Sequence, residues 1–192
     1  MGSRRVSRKR LYNVEKAGIS VDLESGTGIK DAVGSATQHR QGQEIITEIY
    51  LDLAPASGAM VRGGDTGQAI GETATGSNYA YITELTEAKY GIITEIRMVC
   101  VEAPSADGGT ADLDLIIDAS GAKDQGDAIS GVNGPATLTV KGDDASADID
   151  DFSTISGKYL YIVDGATGSS GAMESGKFLI YLHGFVAPDD LA

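Results

Sequence analysis

Strict alternation of side chains over residues 44–53 constrains the fold more than any other feature of this sequence. Every second position carries a residue suited to burial, namely Ile45, Thr47, Ile49, Leu51 and Leu53. The intervening positions are Glu44, Ile46, Glu48, Tyr50 and Asp52. Because successive side chains of a β-strand point to opposite faces, this period of two predicts a strand with one buried face.

Further segments of this kind predict an all-β fold. They are residues 59–62, 79–85, 90–101, 112–118, 136–141, 158–164 and 177–187. Glycine is abundant, at 26 residues, and the linkers between the predicted strands are rich in turn-forming residues. Helical periodicity of useful length is missing, which argues against α/β folds. We therefore expect a β-sandwich or jelly-roll-like body.

The first ten residues have the opposite charge from the rest of the chain. They contain no acid and five of the 15 basic residues: Arg4, Arg5, Arg8, Lys9 and Arg10. All 28 acidic residues follow them, against ten basic ones. The sequence therefore predicts an extended basic arm attached to an acidic body.

A short helix is predicted directly after the arm. Ser7 can cap it, Leu11 and Val14 share one face, and Gly18 lies where the helix should end. A helix this short needs a surface to dock against. Residues 18–43 are rich in Gly, Ser and Gln and are interpreted as an extended connector with one short helix at most. This gives two parts: residues 1–43, comprising arm, helix and connector, and the body at 44–192.

Residues that could carry catalysis are few. The chain has one cysteine, Cys100, and two histidines, His39 and His183, and it lacks a G-x-S-x-G motif. Residues 171–177 match the GxxxxGK pattern of a phosphate-binding loop, but Phe178 follows where Ser or Thr is needed. Since the next residues alternate as a strand, we reject that reading. We predict no enzymatic activity and no cofactor.

Acidic loops offer a weak alternative, a calcium site. The candidate ligands are Asp143, Asp144, Asp148 and Asp150. Neither this cluster nor residues 107–112 follows the spacing of a calcium-binding loop, so solvated acidic loops are the simpler interpretation. A carbohydrate-binding sandwich is also conceivable, although Trp is absent and the tyrosines lie mostly in predicted strands. No stretch is apolar enough for a membrane span.

The arm itself has three possible roles. It could contact nucleic acid through its charge, dock on an acidic surface of a neighbouring protein, or remain a solvated tail. The net charge of −13 argues against nucleic-acid binding by the body, but not by the arm. Leu11, Tyr12 and Val14 behind the basic residues favour docking, because a solvated tail does not need an amphipathic turn. We predict a partner-binding segment formed by these three residues and the five basic ones.

One pentapeptide occurs twice. Ile45-Ile-Thr-Glu-Ile49 recurs as Ile92-Ile-Thr-Glu-Ile96, and an Ala-Pro follows each copy, at Ala54-Pro55 and Ala103-Pro104. Duplication of a strand-and-loop unit is one explanation. Convergence is the other, since Ile, Thr and Glu suit a half-exposed strand.

Several segments resemble small virion proteins of tailed bacteriophages, particularly marine ones. These segments are Gly2-Ser-Arg-Arg-Val-Ser-Arg-Lys-Arg-Leu-Tyr12, Ile46-Thr-Glu-Ile49, Val99-Cys-Val-Glu-Ala-Pro104 and Gly176-Lys-Phe-Leu-Ile-Tyr-Leu-His-Gly184. The resemblance covers nearly the whole chain, and it includes no catalytic signature.

The resemblance implies a structural role in the phage particle, as a head decoration, or cement, protein. The expected partner is the major capsid protein or another virion protein, and the expected location is the virion. The analogy also suggests a homo-oligomer, with a trimer as the simplest guess. A capsid or tail-tube building block is the structural alternative, with the arm facing DNA or a neighbour. A calcium- or sugar-binding sandwich for host attachment is the alternative of another class.

Overall fold

The computed structural model describes residues 18–73, 77–107 and 109–186. The arm and the helix predicted directly after it lie outside these ranges, so both stay predictions. All of the predicted partner-binding residues therefore lie outside the described ranges, namely Arg4, Arg5, Arg8, Lys9, Arg10, Leu11, Tyr12 and Val14.

The described residues form twelve strands, and helix is confined to short turns. The strands are β1 (Ile19–Ser20), β2 (Val33–Gln41), β3 (Glu44–Asp52), β4 (Val61–Arg62), β5 (Tyr81–Leu85), β6 (Ile92–Ala106), β7 (Gly109–Thr110), β8 (Leu113–Asp118), β9 (Val132–Asn133), β10 (Asp144–Asp148), β11 (Lys158–Asp164) and β12 (Gly171–Phe185). One α-helical turn, α1 (Glu87–Tyr90), and two 3-10 turns (Lys30–Ala32 and Phe152–Thr154) connect them.

The strands form two antiparallel sheets. The first sheet has the order β1-β2-β3-β12-β6-β10, with β4 added to β12 and β7 added to β6. The second sheet has the order β5-β11-β8-β9. The all-β, sandwich-like fold predicted from the alternating segments is therefore confirmed.

The main hydrophobic core lies between the two sheets. The alternating residues of β3 supply Ile49 and Leu51, and the long strand β12 supplies Phe178, Ile180 and Leu182. The facing side of the second sheet supplies its own alternating set, Leu113, Leu115, Ile117, Leu160 and Ile162. These side chains are almost fully excluded from water, so the period of two seen in the sequence corresponds to one face packed in the core.

The prediction of an extended connector at residues 18–43 is wrong for much of that segment. Residues 33–41 form β2, which pairs with β3 from Val33↔Leu51 to Gln41↔Glu44. Ile29 and Ala32 are buried in the core, and the short helix allowed there is a single 3-10 turn.

The polar composition of β2 explains why its sequence shows no strand signal. Gln38 occupies a core-side position and donates from its amide to the Thr47 hydroxyl at 3.1 Å and to the Lys89 carbonyl at 2.9 Å. Main-chain pairing with β3 and these side-chain hydrogen bonds hold β2 in the sheet, so hydrophobic alternation is not needed.

Two strand assignments near the acidic loops also need correction. Residues 136–141 were predicted as a strand, but only Leu138 makes a bridge, to Leu113. The acidic segment just after it, predicted as a loop, forms β10 and pairs with β6. In β10 the half-buried positions are Ala145 and Ala147, whose small side chains give a weak hydrophobic signal.

The second sheet carries an additional small core on its outer side. Tyr161 and Val163 of β11 point away from the first sheet and are fully buried. Ala69, Ala80 and Ile129, from segments between strands, pack on them. Loops of the chain itself therefore cover the outer side of the second sheet.

Candidate partner-binding surface

The cysteine is poorly suited to chemistry. Cys100 is buried in β6, and its thiol donates to the carbonyl of Glu102 at 3.3 Å. Burial, with smaller contributions from Asp143 and Glu102, raises the pKa of the thiol to about 11. Because the thiolate is the reactive form, the Cys100 thiol is a weak nucleophile at neutral pH.

The segment that matches a phosphate-binding loop is part of a strand. Residues 171–177 lie within β12, which pairs with β4 and β6 over this stretch. A phosphate-binding loop requires backbone N–H groups at the start of a helix, and here those groups belong to a strand ladder. This geometry agrees with rejection of the motif.

The four calcium candidates lie in and around β10. Asp143 accepts backbone hydrogen bonds from Thr139 and Val140, both at 2.8 Å, and these bonds lower its pKa. Asp144 forms an ion pair with Arg97. Asp148 lies opposite Glu95 in the ladder, and Asp150 is exposed beyond the strand. Within the described ranges, no three His, Cys, Asp or Glu side chains are grouped as a metal site would require.

The buried ion pair Arg62–Asp164 joins β4, which pairs with β12 of the first sheet, to the end of β11 in the second sheet. Their Nε and Oδ1 atoms are 2.7 Å apart, with the two side chains 6% and 0% exposed. Arg62 donates to the Ala166 carbonyl, and Asp164 accepts the Gly64 N–H. Burial raises the pKa of Asp164 and outweighs the lowering by these partners. Because both charged groups are buried and bonded within the protein, we interpret the pair as structural.

The side of the first sheet that faces away from the second sheet has a different character; we call it the outer face. Cross-strand register places Tyr50, Leu179 and Val99 in one row, and Ile46 opposite His183 in another. All five side chains are partly buried, with the Tyr50 ring beside Gly34 of β2, and the main core lies on the opposite side of these strands. At one end Phe185 and Ile92 lie opposite each other, with 44% and 37% exposure.

Acidic residues outnumber basic ones on the outer face. Seven carboxylates belong to it: Glu44, Glu48, Asp52, Glu95, Glu102, Asp144 and Asp148. The two cationic side chains, Arg97 and Lys177, are each engaged with one of these acids, Asp144 and Glu102. The outer face of the described strands therefore has an excess of five negative charges when histidine is neutral.

Tyr181 lies near the centre of this face. Glu48 and Arg97 are its neighbours on the two adjacent strands, and the guanidinium carbon of Arg97 lies 5.9 Å from the centroid of its ring. Burial, followed by the charge of Glu48, raises the pKa of Tyr181. The Tyr181 ring therefore lies between a carboxylate on one side and a guanidinium group on the other.

Both histidines lie on the same face. His39 of β2 and His183 of β12 are the neighbours of Ile46 on its two sides. The Nδ1 atom of His183 is 3.9 Å from a carboxylate oxygen of Glu44. Both histidines therefore belong to the outer face.

Part of this surface was visible in the sequence. In β3, Ile46 and Tyr50 occupy positions that alternate with the buried residues, where a solvated strand would carry polar side chains. The run Phe178-Leu-Ile-Tyr-Leu182 is apolar on both faces of β12, as in strands buried on both sides. The two signals together indicate an apolar outer face.

Comparison of the chain with known protein families, curated proteins and solved structures finds no match. Among the described residues, no helix has the length and apolar character required to cross a membrane.

Proposed function

We propose that this protein is a structural component of a tailed-phage particle, a capsid decoration or cement protein that docks through its basic N-terminal arm. The observation that carries the proposal is the charge asymmetry between the arm and the folded body. Five cationic residues precede a sandwich whose broad outer face is acidic and partly apolar. Such a chain is suited to making contacts between protein surfaces.

The geometry supports a mechanical role. Main-chain pairing links β3, β12 and β6 along most of their length, and the core between the sheets is closely packed. The sandwich is therefore a rigid body that can transmit force across a seam between capsid subunits. Each added contact buries surface that must be exposed again before the shell can open, which stabilises the particle against internal pressure.

Removal of the arm tests this proposal. We expect deletion of residues 2–10 to weaken binding to empty capsids, because it removes Arg4, Arg5, Arg8, Lys9 and Arg10. Binding of the intact chain should weaken as ionic strength rises, and that dependence should be reduced in the deletion variant. Co-sedimentation with empty capsids, assembled from the major capsid protein of the same phage, measures both the affinity and its dependence on salt.

A matched control keeps the charge of the arm and changes its shape. Arg4→Lys, Arg5→Lys and Arg8→Lys retain three cations and lose the planar fork that pairs with two carboxylate oxygens. We expect this triple variant to bind more weakly than the parent and more strongly than the deletion. Unchanged affinity and unchanged salt dependence after deletion would contradict a docking role for the arm.

A further inference from the structure

Within the described residues, the middle strand of the first sheet is only partly covered on one side. Phe178, Ile180 and Leu182 of β12 are buried in the core, whereas Leu179 and Tyr181 are only partly buried on the outer face. A run that is apolar on both sides is typical of a strand covered on both sides. The outer face thus has the composition of a surface that is covered in the assembled protein.

Direct pairing of two identical outer faces is opposed by their charge. Each face has seven carboxylates against two cations, and both cations are already engaged within the face. Placing one such face on another brings like charges together, which costs free energy. The partner that fits is a basic segment with some apolar side chains.

The chain itself contains such a segment. Residues 4–10 carry five cations and no acid, and Leu11, Tyr12 and Val14 follow them. The five positive charges match the excess of five negative charges on the outer face. The apolar residues match the row formed by Tyr50, Leu179 and Val99.

The direction of β1 favours a contact between two copies of the chain. Ile19 pairs with Gln38 and Ser20 with Thr37, so the N-terminal end of β1 points along β2 towards the turn at residues 42–43. Glu95 and Asp148 lie on β6 and β10, roughly 20–25 Å away across the sheet at about 4.8 Å per strand. β1 itself lies at the edge of the first sheet and runs along it, not across the outer face.

We propose that the outer face binds the basic arm, residues 4–14, of a second copy of this chain. The contact is heterologous, because the arm of one copy meets the sheet of another. Repetition of such a contact produces a ring if the rotation closes and a line of subunits if it does not. The proposal deepens the docking role of the arm proposed above and names the surface that receives it.

Two variants separate the halves of this contact. The arm-neutral variant carries Arg4→Gln, Arg5→Gln, Arg8→Gln, Lys9→Gln and Arg10→Gln. The face-neutral variant carries Glu48→Gln, Glu95→Gln and Asp148→Asn, which removes three acids without leaving Arg97 or Lys177 unpaired. A matched control removes the same charge away from the strands, through Asp31→Asn, Glu72→Gln and Glu87→Gln.

Sedimentation velocity over a range of concentrations measures self-association. We expect the parent and the matched control to associate at low ionic strength and to dissociate as salt is added. The face-neutral variant should associate roughly tenfold more weakly, and the arm-neutral variant should show at least as large a loss. Far-ultraviolet circular dichroism checks that every variant retains the β-rich fold.

Mixing the two variants provides the sharper test. An arm-neutral chain still has an intact face, and a face-neutral chain still has an intact arm, so an equimolar mixture should form a one-to-one complex. A mixture that remains monomeric, or a parent chain that is monomeric at every concentration, would overturn the proposal. The proposal would also be overturned if the matched control self-associated as weakly as the face-neutral variant. Arm-dependent capsid binding by a monomeric chain would overturn this inference and leave the proposed function intact.

Discussion

The two sheets of the sandwich differ in what lies on their outer sides. Each has a strand with an uninterrupted apolar run, Tyr159–Val163 in β11 and Phe178–Leu182 in β12. Loops of the chain cover the run in β11, and Tyr161 and Val163 are fully buried there. In β12 the equivalent side, with Leu179 and Tyr181, belongs to the partly exposed outer face.

This difference shows that similar strand sequences can complete their burial in different ways. For β11 the covering residues, including Ala69, Ala80 and Ile129, come from the same chain. For β12 the described ranges leave Leu179 and Tyr181 partly exposed, and we propose that a basic segment of a second copy covers them. Four predictions for the isolated protein follow, which compare buried with exposed positions and end with the turn before β10.

The largest effect is expected on the covered side. Tyr161→Ala should lower the free energy of unfolding by about 3–5 kcal/mol, because a fully buried ring is removed and a cavity remains. The variant also loses the hydrogen bond from the Tyr161 hydroxyl to the Ser120 carbonyl, at 2.7 Å. Urea denaturation followed by circular dichroism measures the change. A loss below about 1 kcal/mol would mean that the loops contribute little to the cover.

A second prediction compares two ion pairs. Arg62→Met should cost about 3 kcal/mol, because Asp164 would stay buried without its cation. Arg97→Met on the outer face should cost about 0–1 kcal/mol, since both members of the Arg97–Asp144 pair are more than 40% exposed. The same urea titration measures both variants, and equal losses would show that burial does not distinguish the two ion pairs.

The third prediction uses neighbouring residues on opposite sides of β12. Leu179→Ala should cost about 1 kcal/mol in the isolated chain, because its side chain is only partly buried. Ile180→Ala, one residue further along, should cost about 2–4 kcal/mol because it opens a cavity in the core. Thermal unfolding should rank the two variants in this order. A reversed order would show that the outer face is already covered in the isolated chain.

The smallest effect is expected at the acidic turn before β10. Backbone hydrogen bonds from Val140 and Thr139 lower the pKa of Asp143, so its ionised form stabilises the folded state above the unfolded pKa of about 4. That contribution is lost as the pH falls through the lower, folded-state pKa. Asp143→Asn should therefore be less stable than the parent at pH 7, and the difference should shrink towards pH 3.

Urea midpoints across this pH range measure the effect of Asp143, and Asp150→Asn, an exposed aspartate just after β10, is the control. A difference between Asp143→Asn and the parent that does not change with pH would show that the carboxylate does not stabilise the turn through its charge.

Much of the fold could be predicted from the sequence because the buried strands show their pattern directly. The bounds of β11 match the prediction at both ends, and β3 and β8 are close to it. β2 and β10 were missed because polar or small side chains fill their core-side positions. Their places are determined by pairing with β3 and β6, and this pairing joins residues that are distant in sequence.

The candidate site divides in the same way. The arm stands out in the sequence because five cations lie within residues 4–10, and its role stays a prediction. The outer face could not be assembled from the sequence, because its residues come from strands between Val33 and Phe185 and meet only through register. Ile46 and Tyr50 indicate that the face is not fully solvated, but they do not reveal that Glu95 and Asp148 lie across the same surface.

The position of β12 in the first sheet has a consequence for how the protein is made. β12 follows every other strand in the chain, yet it occupies the place between β3 and β6. Until it emerges from the ribosome, both of those strands present unpaired edges, which are sites for pairing with other chains. Closure of the sheet must also wait for contacts between distant residues, which slows folding. We therefore expect nascent chains that end before β12 to aggregate and chains that include it to fold.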